Sequence, residues 1–419
     1  MQQPLNTFTF ITKLLVILMP FYVLIKVFFE FQLGIPYFGL AIKEGLIVVL
    51  AGALVYELWK HKELPKLDWL DLSIIAYIVY GIGITLWNGL GLDNIFYGGR
   101  YDFFFLIVFT LYRHGSKYLT VAPKEILVLG AWSMCISIFI GTLVKFRFGE
   151  EILLHLGFSP YTSNWTFNGG IPNYHGLENS GIRRFSGILE SPNSMGFFLI
   201  LFASLFVHLQ KKKNEFYVGF FLCFILAMIL ITYSRSAMLG VGTAFGILFL
   251  LNIKTLYNNY RKLLIGTIIV GVCTAAGLGY VFQEKMKSIV LRTSSTTGHF
   301  ERMGIGIDRF IEKPLGHGLA ESGPAFRNVI DTPEITKEIE EYYIPESWFI
   351  QQMIEGGIIF FLLFCAIYIQ ILLKLYPISI AFTGGLIAVL VMNIFLHTFE
   401  ATYLSILLFL YIGLLLKKA

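Results

Sequence analysis

Ile231-Thr232-Tyr233-Ser234-Arg235-Ser236-Ala237-Met238-Leu239-Gly240 joins two long apolar runs and sets one arginine at a hydrophobic boundary. A helix that starts near Ser234 turns its free backbone N–H groups and its positive dipole end outward at this spot. Arginine is electrostatically misplaced at a helix N-terminus unless an anion is to be met there. Guanidinium and helix N-terminus together make a ready phosphate site. The plainer alternative is an arginine that snorkels to lipid headgroups.

The apolar runs around this stretch belong to a chain of 419 residues that is 56% hydrophobic and only 14% charged, with a mean hydropathy of +0.71. A soluble globule would carry about a quarter charged residues. Repeated apolar runs of roughly 20 residues instead predict an all-α, polytopic membrane protein. The first run, from Ile11 to Phe31, is long enough to span and lacks a small-residue cleavage site, so no cleavable signal peptide is expected. Cys135, Cys223, Cys273 and Cys365 all fall in apolar runs and read as packing residues. There is no CxxC or HExxH spacing, and neither metal nor cofactor is expected. The net charge of +5 is ordinary for basic cytoplasmic loops and gives no reason to expect nucleic acid.

Twelve spans are expected, at about 11–33, 37–59, 72–89, 97–113, 124–144, 194–210, 215–232, 236–252, 263–282, 347–373, 377–397 and 401–416. Alternate connections carry Lys60, Lys62 and Lys66, then Arg113, Lys117 and Lys124, then Lys211-Lys212-Lys213. The same side receives Lys254, Arg261, Lys262, Lys374, Lys417 and Lys418. The positive-inside rule makes that side cytoplasmic, with both termini inside. The chain then divides into helices 1–5 (1–144), a first outer loop (145–193), helices 6–9 (194–282), a large outer loop (283–346) and helices 10–12 (347–419).

The outer loops have internal order. Lys145 to Leu156 is expected to lie flat in the interface as a short amphipathic helix. Ser191 or Asn193, with Pro192, suits the N-cap and start of the sixth span. In the second loop Phe300, Met303, Ile307, Phe310 and Ile311 recur at helical spacing, which leaves Arg302 and Arg309 on the opposite, polar face. Glu334, Glu338, Glu340 and Glu341 read as a solvated helical face, and Ser347 as the N-cap of the long tenth span. Arg100, Arg183, Arg184, Arg235 and Arg302 all sit where outer chain meets membrane, and that placement calls for an anionic partner. No Asp cluster is present to hold a metal that would do the same work.

Arg184-Phe185-Ser186-Gly187 with Ser191-Pro192-Asn193, Tyr233-Ser234-Arg235-Ser236, Arg302 with Glu312-Lys313-Pro314-Leu315-Gly316-His317-Gly318, and Glu346-Ser347-Trp348-Phe349-Ile350-Gln351 follow one another in order. In that order they resemble the O-antigen ligase and Wzy-type polymerase superfamily, chiefly over residues 180–365. The resemblance implies a GT-C-like membrane glycosyltransferase acting on undecaprenyl-pyrophosphate-linked glycans at the periplasmic face. Lipid-linked donor and acceptor, the bilayer and a chain-length regulator are the implied partners. Ligases of the family carry a His-Asn-like pair where the large loop enters the next helix. This chain has Glu346-Ser347 there, which points to a repeat-unit polymerase, with the ligase as the alternative.

The implied chemistry is a metal-independent inverting transfer. Arginines stabilise the charge that grows on the departing pyrophosphate, with Arg235 and Arg302 the catalytic pair. Glu346 is the first choice for the base and Glu190 the second; carboxylate support of a helix end is the competing role for Glu346. Arg100, Arg183, Arg184, Arg235, Arg302 and Arg309 are expected to bind pyrophosphate or glycan, with Tyr233 and Trp348 bordering sugar rings. A flippase or transporter would instead place its charges at the midplane.

Overall fold

The computed structural model describes residues 6–160, 170–177, 181–210, 215–251, 293–330 and 337–418. They form a helical bundle. Among the described residues, five helices are long and apolar enough to cross a membrane: α1 (Thr7–Gln32), α3 (Trp69–Trp87), α6 (Pro123–Phe148), α7 (Pro192–Leu209) and α12 (Trp348–Leu375). Shorter apolar helices are α9 (Arg235–Leu251), α13 (Ile380–Phe395), α14 (Thr402–Leu415) and the 217–232 part of α8 (Glu215–Thr232). The rest are α2 (Phe38–His61), α4 (Leu92–Asp102), α5 (Phe104–Gly115), α10 (Thr293–Glu312) and α11 (Lys337–Tyr343). A two-stranded antiparallel ribbon pairs β1 (His175–Gly176) with β2 (Arg183–Arg184). The chain is a polytopic helical membrane protein. The expected span at 263–282 lies outside the described residues, as do Glu334 and Cys273. Cys135, Cys223 and Cys365 are free thiols.

The innermost helix is α14, buried from Thr402 to Leu414 and apolar all round, as a core helix must be. It lies along α5, while α12 packs on α3, α13 on α7, and α1 between α2 and α6. At the lysine-bearing end, Arg113 binds Asp68 at 3.0 Å and also reaches Asp71. Lys418 joins the same carboxylate of Asp71 at 2.6 Å. These pairs tie α3, α5 and the segment after α14 together.

Two expected spans are remodelled. The segment 97–113 is broken at Phe103 into α4 and α5. Gly98 explains the break, because a Cβ there would meet Leu319 at 2.6 Å: α4 leaves the bundle axis to pack on the large loop. The tenth span folds back on itself. Phe349 and Phe364 would stand about 22 Å apart along a straight helix at 1.5 Å per residue, yet their ring centroids are 5.6 Å apart. The reversal is at Gly357, whose φ is +68°. A side chain there would strike the Pro314 carbonyl at 2.3 Å, and Ile358 N donates to that same carbonyl. The segment beginning at Trp348 is therefore re-entrant, and Glu346-Ser347 lies at its deep end.

Several helices also stop short. With 12, 16 and 14 residues, α5, α13 and α14 reach only about 18–24 Å, against a hydrocarbon core of about 30 Å. Their ends around Asp102, Thr398 and Thr402 are accordingly buried, which leaves a recess at the end of the bundle away from the lysines.

The loops depart from expectation in three places. Lys145 to Leu156 is not one interfacial helix. Its first residues finish α6 and Glu150–Leu156 forms a 3-10 turn, with Lys145 bound to Glu150 at 2.9 Å and Leu153 buried. In α10 the polar face turns inward. Arg309 is buried while Phe300, Ile307 and Ile311 are exposed, because Gly306 lets the helix press on Pro345 and Ile350. The acidic stretch is not a solvated face throughout, since Glu340 pairs with Arg327 and Glu341 with Arg302.

Candidate active site

Two helices begin at one point in the recess. Ser191 Oγ accepts from Ser194 N at 3.1 Å and caps α7, with Pro192 in its first turn. Ser234 caps α9, its Oγ accepting from Ala237 N at 3.4 Å. Tyr233, with φ +51°, turns the chain sharply from α8 into α9. The two starts can meet because Gly196 has no side chain: a Cβ there would lie 2.7 Å from that of Ala237. Asn193 joins them, its Oδ1 accepting from Ser234 Oγ at 2.9 Å and from Arg184 Nη2 at 3.3 Å. Arg184 Nε in turn donates to the Thr232 carbonyl at 3.0 Å.

A cavity of about 280 Å³ opens against this junction. Arg184, Asn193, Tyr233, Arg235, Ser236 and His299 line its polar side, and Leu239, Phe300, Met303, Phe395 and Leu396 its apolar side. Two positive helix ends, two guanidinium groups and an imidazole thus face one space, which is the electrostatic specification of a phosphate site. Behind it, Glu346 holds Arg302 and His299. Its Oε1 accepts from Arg302 Nη1 at 2.7 Å, and its Oε2 lies 3.3 Å from His299 Nδ1. Burial works to raise the Glu346 carboxyl, but His299, His397 and Arg302 outweigh it and hold it below the usual range. Glu346 is therefore a firmly ionised anchor for two cavity groups.

Residues 218–365 match the family model described as O-antigen ligase. That segment is similar to the O-antigen ligase and Wzy superfamily. Its members are membrane glycosyltransferase-like enzymes. No curated protein matches the chain. The superfamily segment contains Arg235, His299, Arg302 and Glu346, whereas Arg184 and Asn193 enter the cavity from the chain ahead of it.

The structure sorts the residues singled out in the sequence. Arg184, Arg235 and Tyr233 line the cavity, and Arg302 stands behind it on Glu346. Arg183 points elsewhere, to Glu151 at 2.7 Å and onto the Tyr174 ring. Arg309 is 3% exposed. It lies over the Tyr342 and Tyr343 rings and donates to the Glu321 and Tyr342 carbonyls, so it shapes the loop rather than the cavity. Trp348 does not border the cavity; it is fully buried against Phe105 and Phe399, because the re-entrant turn carries it into the core. Arg100 is bound through Nε to Glu44 at 2.6 Å. Glu190 accepts from Ser194 Oγ at 3.0 Å, and burial raises its carboxyl above the ordinary value. His299 was missed in the sequence. The signal was its spacing: three residues before Arg302 on one helix, it shares that arginine's face.

Proposed function

We propose that this chain is a polysaccharide repeat-unit polymerase working on undecaprenyl-pyrophosphate-linked glycans at the periplasmic face of the inner membrane. The observation that carries the reading is the convergence of the α7 and α9 N-termini with Arg184, Arg235 and His299 on one cavity. That arrangement fits a leaving group whose negative charge grows as the reaction proceeds. A hydroxyl of the acceptor sugar attacks the anomeric carbon of the donor, and the bond to the pyrophosphate oxygen breaks. The electron pair departs onto pyrophosphate, where preplaced donors lower the barrier. The configuration inverts because attack comes from the face opposite the leaving group.

The hydroxyl proton goes to a carboxylate, and the electrostatics reverse the order drawn from sequence. Glu346 is committed to Arg302 and His299 and is held below the carboxylate range, which weakens it as a base. Glu190 is raised by burial and lies one short turn from Asn193. A base works best when its pKa approaches the operating pH, so Glu190 takes that role and Glu346 positions His299 and Arg302.

Ligase activity toward lipid A–core is the second reading. His299 favours it, because the structure brings an imidazole to the loop–helix junction where the sequence shows Glu346-Ser347. Polymerase rests on the absence of a His-Asn pair at that junction. The deciding experiment incubates purified protein with its lipid-linked repeat unit alone. A ladder of lengthened products supports polymerase. Transfer seen only when lipid A–core is added would replace it with ligase.

A further inference from the structure

The exposed surface of α10 is sorted into two strips. At about 100° per residue, Phe300, Ile307 and Ile311 fall within about 40° of one another, and Glu301, Asp308 and Glu312 form a second strip about 100° further round. Both strips are exposed, and the apolar one heavily so, at 59% for Phe300, 43% for Ile307 and 64% for Ile311. The remaining side, with Gly306 and Arg309, lies against the protein. A helix surrounded by water has no reason to keep large apolar side chains in line beside its acidic strip.

Depth and continuity say what covers the apolar strip. α10 runs beside the re-entrant limb of α12: Gly306 packs on Pro345 and Ile350, and Arg302 reaches Glu346 at the limb's deep end. Just past α10, the Leu315 carbonyl accepts from Tyr80 Oη at 3.3 Å and the Gly316 carbonyl from Asn88 Nδ2 at 3.0 Å. Tyr80 and Asn88 bracket roughly the last two turns of α3, so α10 stops alongside a spanning helix instead of above it. Ile358 N donates to the Pro314 carbonyl at 3.0 Å, which brings Leu315 beside Ile358 and Ile359. These lead on to Leu362 in the spanning stretch of α12, and all four are exposed. The strip thus continues through Leu315 into a surface that hydrocarbon must cover. We infer that α10 lies in the membrane interface on the side away from the lysines, with its apolar strip in the lipid tails and its acidic strip in water. A partner protein on this strip would have to displace the lipid around Leu315 and Ile358 as well. Phe300 belongs both to the strip and to the cavity wall, so the leaflet sets the height of His299, its neighbour on α10, against Arg235. The inference concerns the bilayer and stands whether or not the chain transfers glycan.

The test uses the full chain in nanodiscs of phosphatidylethanolamine and phosphatidylglycerol. The probe is a phospholipid with a photoactivatable diazirine along its acyl chain, and adducts are mapped by peptide mass spectrometry. Ile307 and Ile311 are expected to take lipid adducts as Leu362 does, while a water-soluble carbodiimide with an amine modifies Asp308 and Glu312. Ile307→Asp combined with Ile311→Asp extends the acidic strip across the apolar one. Adducts at Phe300 should then fall about tenfold or more, the order of change for drawing one charge out of hydrocarbon. Unchanged labelling of Leu362 shows that the bundle of the double variant is folded. Should it not fold, the wild-type adduct map decides by itself. Absence of lipid adducts from Ile307 and Ile311 in wild type, with Leu362 labelled, overturns the inference and leaves the strip to a partner protein or to water. Undiminished Phe300 labelling in a folded double variant overturns it as well.

Discussion

Gly196→Ala tests the geometry most directly, because it touches no charged group. The added Cβ would lie 2.7 Å from the Cβ of Ala237, whereas carbon atoms rest about 3.5–4.0 Å apart, so the starts of α7 and α9 must separate by about 1 Å. The 2.9 Å bond between Asn193 and Ser234 would then stretch past hydrogen-bond range, and Arg184 and Arg235 would no longer converge. Misplacement of a site by about 1 Å costs on the order of 10²-fold in rate. Overpacking costs about 1–3 kcal/mol, partly offset by the better helix propensity of alanine. Gly242→Ala, also in a site-forming helix but facing open space, receives the propensity gain without the clash. The assay is glycan transfer in detergent or nanodiscs, beside thermal unfolding of both variants. Transfer by Gly196→Ala at the Gly242→Ala rate would refute the claim that the junction of the two helix starts forms the site.

Arg235→Ala and Arg184→Ala are each expected to abolish transfer with the protein still folded in the membrane, and lysine at either position should rescue only in part because a point charge lacks the planar fork; product ladders on gels read this. Glu190→Gln should lower transfer about 10²-fold and remove the rise of wild-type rate with pH. Its stability effect has a definite sign. The raised carboxyl contributes stability below the unfolded pKa of about 4.3 and loses it as pH rises through the folded value. Glu190→Gln therefore melts above wild type at neutral pH and loses that advantage near pH 4. For topology, cysteines belong at Leu92 and Leu64, both highly exposed. An impermeant thiol reagent should label the first from the periplasm and spare the second in intact cells; the opposite pattern would invert the orientation.

The sequence by itself determined the class of this protein, because hydrocarbon tolerates only apolar helices and the runs are the right length to cross it. It also marked Arg184, Tyr233 and Arg235, since a cation at a helix start contradicts the dipole and needs an anion to explain it. Local capping signals were legible for the same reason: Ser191, Ser234 and Ser347 act on N–H groups two or three residues away. What only the tertiary structure decided are pairings between distant residues. Arg100 meets Glu44, Arg302 and His299 meet Glu346, and Glu190 sinks into a wall built by α1, α2, α4 and α14. Gly357 looked like one of many glycines until the Pro314 carbonyl approached to where its Cβ would be, turning a long span into a re-entrant hairpin and sending Trp348 into the core. Periodicity showed that α10 had a polar face but not which way it turned. Gly306 lets α10 press on Pro345 and Ile350, which turns Arg309 inward, and only that packing made it visible.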